Sequence, residues 1–192
     1  MARPRPVAGI RPDGRLRPNA RRIMAVRIAE VYQYDGLVAD PRNVTDLHDM
    51  RIAFKRLRYL LEIFGGAFGT DLGPFLAEVK DMQDLLGDIH DCDVQVPMLE
   101  QHLAWLEENE AQDVGTVLTR PEGRVRASEA EFRRFRERLE SARRADERPG
   151  IHTLIAARRA QRDELYQRFL GEWRRLRRER FRQRLGAALG IG

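Results

Sequence analysis

Apolar residues recur with a helical period along most of the chain, and stretches in which apolar and polar residues alternate are almost absent. The clearest example lies between residues 47 and 64, where successive apolar positions are three or four residues apart. Such steps place every apolar side chain on one face of an α-helix. The row consists of Leu47, Met50, Phe54, Leu57, Leu61 and Phe64. The sequence therefore predicts an all-α fold, an antiparallel bundle of about six helices.

Glycine, proline and capping residues divide this pattern into the predicted helices. Segment 1–18 is rich in Arg, Pro and Gly and is predicted to be a disordered basic arm, so that 19–192 forms a single helical domain. We expect a bend at 91–97, a loop at 108–121 and a break at Pro149 and Gly150. The predicted helices span 19–36, 45–64, 71–90, the stretch between the bend and the loop, 122–145 and 151–189.

The composition allows a packed core, because 42% of the 192 residues are apolar while 34% are charged. The longest uninterrupted apolar runs contain only a few residues, so the sequence predicts no membrane-spanning helix. Cys92 is the single cysteine, which excludes an intrachain disulfide and favours a reducing compartment. We therefore expect a cytoplasmic protein.

The net charge of +5 conceals an uneven distribution of charge. Residues 71–113 contain twelve acids and one cation, Lys80, whereas residues 143–184 contain fourteen arginines and six acids. Lys55 and Lys80 are the only lysines. Because the planar guanidinium group of arginine binds phosphate oxygens in a bidentate manner, this composition suits a phosphate ligand. A coding bias towards arginine would produce the same ratio of arginine to lysine. The positions of the cations must therefore decide whether they bind phosphate.

A basic row lies beside the apolar row of the second predicted helix. It consists of His48, Arg51, Lys55 and Arg58, and it is rotated by about 100° from the apolar row. Ile52, Tyr59 and Ile63 follow on its far side, so apolar residues flank the cations on both edges. This arrangement favours an anion-binding face over an ordinary solvated one. The alternative is a ladder of internal salt bridges, in which Glu62 pairs with Arg58.

The last predicted helix has cations where its apolar face should continue. That face carries Ile151, Ile155, Leu165, Phe169, Trp173 and Leu176, and Arg158 and Arg162 occupy the positions between Ile155 and Leu165. An unpaired buried charge costs several kcal/mol or more, so something must neutralise these groups. The candidates are an external anion and central acids such as Asp84, Asp88 and Asp91. Arg159 and His152 border the same face.

Two segments of the chain resemble the signature motifs of the CHAD domain, the conserved histidine α-helical domain. The first is HDMRIAFKRLR at 48–58, and the second is LLGDIHDCDV at 85–94, which resembles a Leu-Gly step followed by Arg-Asp and Asp-Val. The order of the two motifs and the spacing between them also resemble those of the CHAD family. The resemblance implies helical bundles around a basic cavity, binding of inorganic polyphosphate in that cavity, and no catalysis by the domain itself.

Carried over position by position, the resemblance implies binding roles for His48, Arg51, Lys55, Arg56, Arg58 and Lys80. His90 stands where the family has Arg, and we include it with His152, Arg158, Arg159 and Arg162 as predicted polyphosphate-binding residues. The usual CHAD domain is longer and has two related halves, whereas this chain has one clear copy of the basic helix. We therefore interpret it as a short or half-type member, which could complete its pore as a homodimer.

Other functions fit the sequence less well than polyphosphate binding does. A triphosphatase motif resembles residues 129–133 only superficially, because these lie on a predicted helix and lack a partner motif. The two histidines and the acids at 91–93 match no compact metal-ligand spacing, and Asp91 and Asp93 are predicted to cap the next helix. A nucleic-acid-binding protein and an accessory helical interaction module remain the alternatives. We expect no catalysis, no metal and no cofactor.

Overall fold

The computed structural model of the chain describes residues 3–118, 133 and 146–191, and these residues are helical or irregular without any strand. Five α-helices lie in this part of the chain: α1 (Leu16–Tyr32), α2 (Val44–Phe64), α3 (Gly73–Leu118), α4 (Arg148–Arg178) and α5 (Phe181–Leu189). Two single 3₁₀ turns, Leu37–Ala39 and Gly65–Ala67, follow α1 and α2. The predicted all-α fold is confirmed. The sixth predicted helix, 122–145, lies outside the described residues.

The chain divides into two compact units. The first comprises Met1–Asp93 and Gln161–Gly192, and the second comprises Val94–Ala160. None of the helices that the described residues form is both long and apolar enough to cross a membrane.

The core of the first unit is built from the helical faces that the apolar spacing predicts. On α2, Leu47, Met50, Phe54, Leu57 and Leu61 are all 2% exposed or less, and Phe64 packs against them at the edge. The same core receives Leu165, Phe169, Trp173 and Leu176 from α4. Burying a side chain of this size contributes about 1.5–3 kcal/mol, so these two faces hold α2 and α4 in place.

The fourth helix predicted to begin at 91–97 is not a separate element, because Gly73–Leu118 form one continuous helix, α3, that contains Pro97. Proline lacks an N–H group, so Pro97 cannot donate the usual helical hydrogen bond to the carbonyl of Asp93. Losing one such bond did not end the helix. The predicted loop at 108–121 is also wrong for residues 108–118, which belong to α3, while 119–121 lie outside the described residues. Pro149 and Gly150 lie in the first turn of α4, where proline is well tolerated.

The last predicted helix is interrupted near its end. Arg180 adopts a left-handed conformation (φ 53°, ψ 43°) between α4 and α5, which is unusual for a residue other than glycine. The interruption redirects the chain, and Phe181, Leu185 and Leu189 of α5 are buried in the same core. Burial of these three side chains outweighs the local strain of about 1–3 kcal/mol.

Residues 3–15 contact α1 at two places. The backbone N–H of Arg5 donates a hydrogen bond to the buried carboxylate of Glu30, and Arg27 bridges Glu30 and the carbonyl of Arg5. Nearer to α1, the side-chain amide of Asn19 bonds the backbone of Arg11 in both directions, at 3.2 and 2.6 Å. The division into a disordered arm and a single domain remains a prediction.

Candidate functional site

A basic face runs along α2, beside its buried apolar row. We define the basic face as His48, Arg51, Lys55 and Arg58, which are separated by steps of three and four along the helix. His48, Arg51 and Arg58 are half-buried and Lys55 is exposed. Three of the four side chains are thus partly held against the protein, and the Nε atom of Arg58 is itself buried.

The first half of α3 lies antiparallel to this face. The Nδ1 atoms of His48 and His90 are 3.2 Å apart, and their ring centroids are 4.6 Å apart. One turn further along α2, the guanidinium of Arg51 lies beside Gly87, where an added Cβ atom would be 3.9 Å from Arg51 Nε. As the residue number rises on α2 it falls on α3, which defines the antiparallel arrangement.

Gly87 has a role that the sequence interpretation missed. It lies inside α3, where glycine is destabilising by about 0.5–1 kcal/mol relative to alanine. A Cβ atom here would be at ordinary contact distance from the guanidinium of Arg51, so the small residue keeps longer side chains out of the space that the guanidinium occupies. A glycine within an otherwise helical pattern is the sequence signal that could have indicated this close approach.

The cations of this region differ in whether they have an acidic partner. In the described part of the chain, no carboxylate lies within ion-pair distance of Arg51, Lys55 or Lys80. Arg58 is paired, since its Nε atom is 3.3 Å from the carboxylate of Glu62, as the alternative interpretation of the sequence expected. That pairing does not extend along the basic face, so the face retains positive charge.

Burial lowers the pKa of His90 below its ordinary value, and electrostatic interactions with His48 and Arg51 lower it further. The carboxylates of Asp91 and Asp93 act in the opposite direction but have less effect. The imidazole of His90 is consequently held in its neutral form at neutral pH.

Arg162 is neutralised inside the first unit. Its Nε atom donates to Asp93 at 2.8 Å, and its Nη2 atom donates to the carbonyl of Pro41 at 2.7 Å. The side chain is 15% exposed, which confirms that it points inward from α4. Asp93 supplies the partner in place of the acids suggested above, and the predicted capping role of Asp91 and Asp93 is wrong because both residues lie inside α3.

Two of the acids that the sequence offered as partners of Arg162, Asp84 and Asp88, lie on a different surface. A cavity of about 590 Å³ is lined by acidic residues of α3 and by the α4 residues that face them. The lining consists of Asp81, Asp84, Leu85, Asp88, Arg168, Gly171 and Glu172. α3 therefore presents an acidic surface there and contributes Gly87 and His90 to the surroundings of the basic face.

Of the remaining predicted residues, only Lys80 lies on the side of α3 that faces the basic face. Arg56 points elsewhere and lines a smaller cavity of about 330 Å³ with Pro4, Arg27 and Tyr59. Lys80 is exposed on α3, and extending the antiparallel register by two helical turns places it opposite Arg58.

His152, Arg158 and Arg159 belong to the second unit. His152 is exposed, Arg158 is half-buried, and Arg159 pairs with Glu100 of the same unit. In the part of the chain that the structure describes, no three His, Cys, Asp or Glu residues are grouped so that they could hold a metal ion, and Cys92 is buried.

The region that contains the basic face matches a known protein family. The family model of the CHAD domain matches residues 3–100, slightly more than half of the 192-residue chain. The chain belongs to the CHAD domain family. The region that matches the CHAD model contains α1, α2 and the part of α3 that carries Lys80, Gly87 and His90, so the basic face lies within it. No curated protein and no solved structure matches the chain. His152, Arg158, Arg159 and Arg162 lie beyond the CHAD match.

Proposed function

We propose that this CHAD protein binds inorganic polyphosphate, or a similar phosphate polyanion, along the basic face of α2 and the facing residues of α3. The observation that carries the proposal is the row of cations at Arg51, Lys55 and Lys80, which have no acidic partner in the described residues. His48 and His90 lie at one end of this row. Cations fixed in this way favour an external anion.

The geometry of the basic face suits a chain of phosphates better than a single one. From His48 to Arg58 the helix rises by about 15 Å, so the cations follow a line. A flexible polyanion can contact several of them at once and release counterions along its length. Arg51 and Arg58 supply planar groups that donate two hydrogen bonds to one phosphate.

We propose in addition that the protein binds its ligand without converting it, and that it acts in the reducing environment of the cytoplasm. The cationic groups of the basic face suit the binding of phosphate oxygens, and a chain with the single cysteine Cys92 cannot form an intrachain disulfide, which suits a reducing compartment. Purified protein incubated with polyphosphate should release no phosphate. Release that a point substitution in the basic face abolishes would contradict this part of the proposal.

A duplex nucleic acid is the competing ligand suggested by the net charge of +5. The acidic cavity lined by Asp81, Asp84 and Asp88 argues against it, because that surface would repel the second strand of a duplex. We expect long-chain polyphosphate to displace DNA from the protein at equal salt concentration, whereas displacement in the opposite direction would favour the nucleic-acid function.

The decisive experiment compares two charge reversals of equal size. Arg51→Glu changes the basic face, and Arg178→Glu changes an exposed arginine at the end of α4. We expect the dissociation constant for polyphosphate to rise roughly 10- to 100-fold for the first, since a hydrogen bond to a charged group contributes about 1.5–3 kcal/mol. The second should change it about twofold or less, because an exposed charge is screened by salt.

Melting temperatures must accompany each affinity, because a reversed charge on a half-buried face can unfold the protein. The milder substitutions Arg51→Gln and Lys55→Gln serve if Arg51→Glu does not fold. Equal losses for Arg51 and Arg178 in folded variants would mean that the protein attracts polyanions by its overall charge and has no defined site.

A further inference from the structure

The imidazole rings of His48 and His90 face each other across the contact between α2 and α3. Their Nδ1 atoms are 3.2 Å apart, and the ring planes are inclined by 48°. A hydrogen bond between these two atoms requires one protonated and one unprotonated nitrogen. The free protein therefore cannot keep this contact when both imidazoles are charged.

The charged groups around the pair come from three helices. Arg51 of α2 lies one turn from His48, and Asp91 and Asp93 of α3 lie beside His90. Arg162 of α4 donates to Asp93 at 2.8 Å, so that carboxylate already has a cationic partner. Arg51 is left as a positive neighbour of both rings, and a second imidazolium beside it is unfavourable until an anion is present.

We propose that the His48–His90 pair takes up protons when a phosphate polyanion binds, and that both imidazolium groups then donate hydrogen bonds to phosphate oxygens. This inference rests on the proposed function and deepens it, because it makes the affinity of the basic face depend on pH. The protons come from the solvent, the contact between the two Nδ1 atoms is lost, and no covalent bond changes. Arg51 completes the phosphate-binding group.

The direction of the effect follows from linkage between protonation and binding. An anion beside the two rings stabilises their charged forms, so the bound protein holds more protons than the free protein. Binding consequently strengthens as the pH falls towards and below the ordinary histidine value of about 6.5. The gain is roughly tenfold for each unit by which the ligand raises the pKa of one imidazole.

Calorimetry of long-chain polyphosphate binding tests the inference. Titrations from about pH 8.5 to about pH 5.5 at constant ionic strength, each in two buffers of different ionisation enthalpy, measure affinity and proton uptake together. Long chains are chosen because their internal units stay ionised throughout this range. The variants are His90→Gln, which cannot become charged, and His90→Arg, which is always charged. His102→Gln is the control, since His102 is exposed and pairs with Glu147 in the second unit.

We expect the wild type and His102→Gln to take up protons and to bind several-fold more tightly at the acidic end. In His90→Gln both effects should shrink, and the affinity should fall most at low pH. His90→Arg should bind at neutral pH at least as tightly as the wild type, with a weaker dependence on pH. Proton uptake that is absent in the wild type, or unchanged in His90→Gln, would overturn the inference while leaving the proposed function intact.

The failure of the proposed function has a different signature, namely no saturable binding at any pH. If the His90 variants do not fold, the histidine ring resonances of the wild type provide a second readout. Titrated with and without polyphosphate, the resonances of His90 should move to a higher apparent pKa when the ligand is present. Unchanged titration of His90 would also overturn the inference.

Discussion

The guanidinium Nε of Arg162 lies 2.8 Å from the carboxylate of Asp93, and the two side chains are only 15% and 10% exposed. The same guanidinium donates to the carbonyl of Pro41, so one side chain connects α4, α3 and the turn before α2. Its charge is satisfied within the first unit. Arg162 therefore contributes to the packing of these elements more than to the charge available for a ligand.

Removing either partner of this pair should destabilise the protein. Arg162→Met leaves the carboxylate of Asp93 without its cation, and Asp93→Asn leaves the guanidinium without its anion; we expect each to lower the free energy of unfolding by about 1–3 kcal/mol. The double variant should lose less than the sum, as chemical denaturation will measure. Strictly additive losses would mean that the two groups do not interact. Arg162→Met should change polyphosphate affinity about twofold or less.

Substitutions at Gly87 should separate stability from binding. An added Cβ atom lies at ordinary contact distance from Arg51, so Gly87→Ala should raise the free energy of unfolding by about 0.5–1 kcal/mol through better helix propensity. A larger side chain occupies the place of the guanidinium, so Gly87→Leu should weaken polyphosphate binding severalfold while the protein stays folded. Thermal unfolding and binding titrations measure both effects. A Gly87→Leu variant with wild-type affinity would show that Arg51 does not need this position.

The stability of the ligand-free protein should fall as the pH decreases. The pKa of His90 is lowered in the folded chain, so between that lowered value and the ordinary value of 6.5 the unfolded chain binds more protons than the folded one. The free energy of unfolding must then decrease as the pH falls through this window, and this contribution stops changing below it. Denaturation curves at several pH values should give a smaller slope for His90→Gln. If the free energy of unfolding changes equally with pH in the wild type and in His90→Gln, His90 is not the cause of the pH dependence.

Glu30 should hold the segment before α1 in place. Its carboxylate is 2% exposed and accepts hydrogen bonds from Arg27 and from the backbone of Arg5. Glu30→Gln should lower the free energy of unfolding by about 1–3 kcal/mol, and Glu30→Ala should also speed hydrogen exchange at the backbone amide of Arg5, which donates to this carboxylate. The control is Glu172→Gln, which breaks a more exposed pair with Arg175, whose two side chains are 43% and 34% exposed, and should cost about 0–1 kcal/mol. Equal effects of Glu30→Gln and Glu172→Gln would mean that burial adds nothing to the first contact.

The sequence by itself determined the helical class and the two faces of α2. A helix turns by about 100° per residue, so the spacing of Leu47, Met50 and Phe54 sets one direction and that of His48, Arg51 and Lys55 another. These angles depend only on local backbone geometry, which is why the buried row and the basic face could be predicted without any knowledge of the neighbouring helices. The matching motifs at 48–58 and 85–94 belong to the same local level.

Only the tertiary structure decided which groups meet. His48 and His90 are 42 residues apart in sequence, and Asp93 and Arg162 are 69 residues apart. The register between helices depends on how their side chains pack, and several acids of α3 offered Arg162 the same charge. The helical course of α3 through Pro97 and the left-handed turn at Arg180 likewise contradict local preference. Local rules assign each residue a propensity, but burial of side chains that are distant in sequence contributes more free energy than one lost hydrogen bond or one strained residue costs.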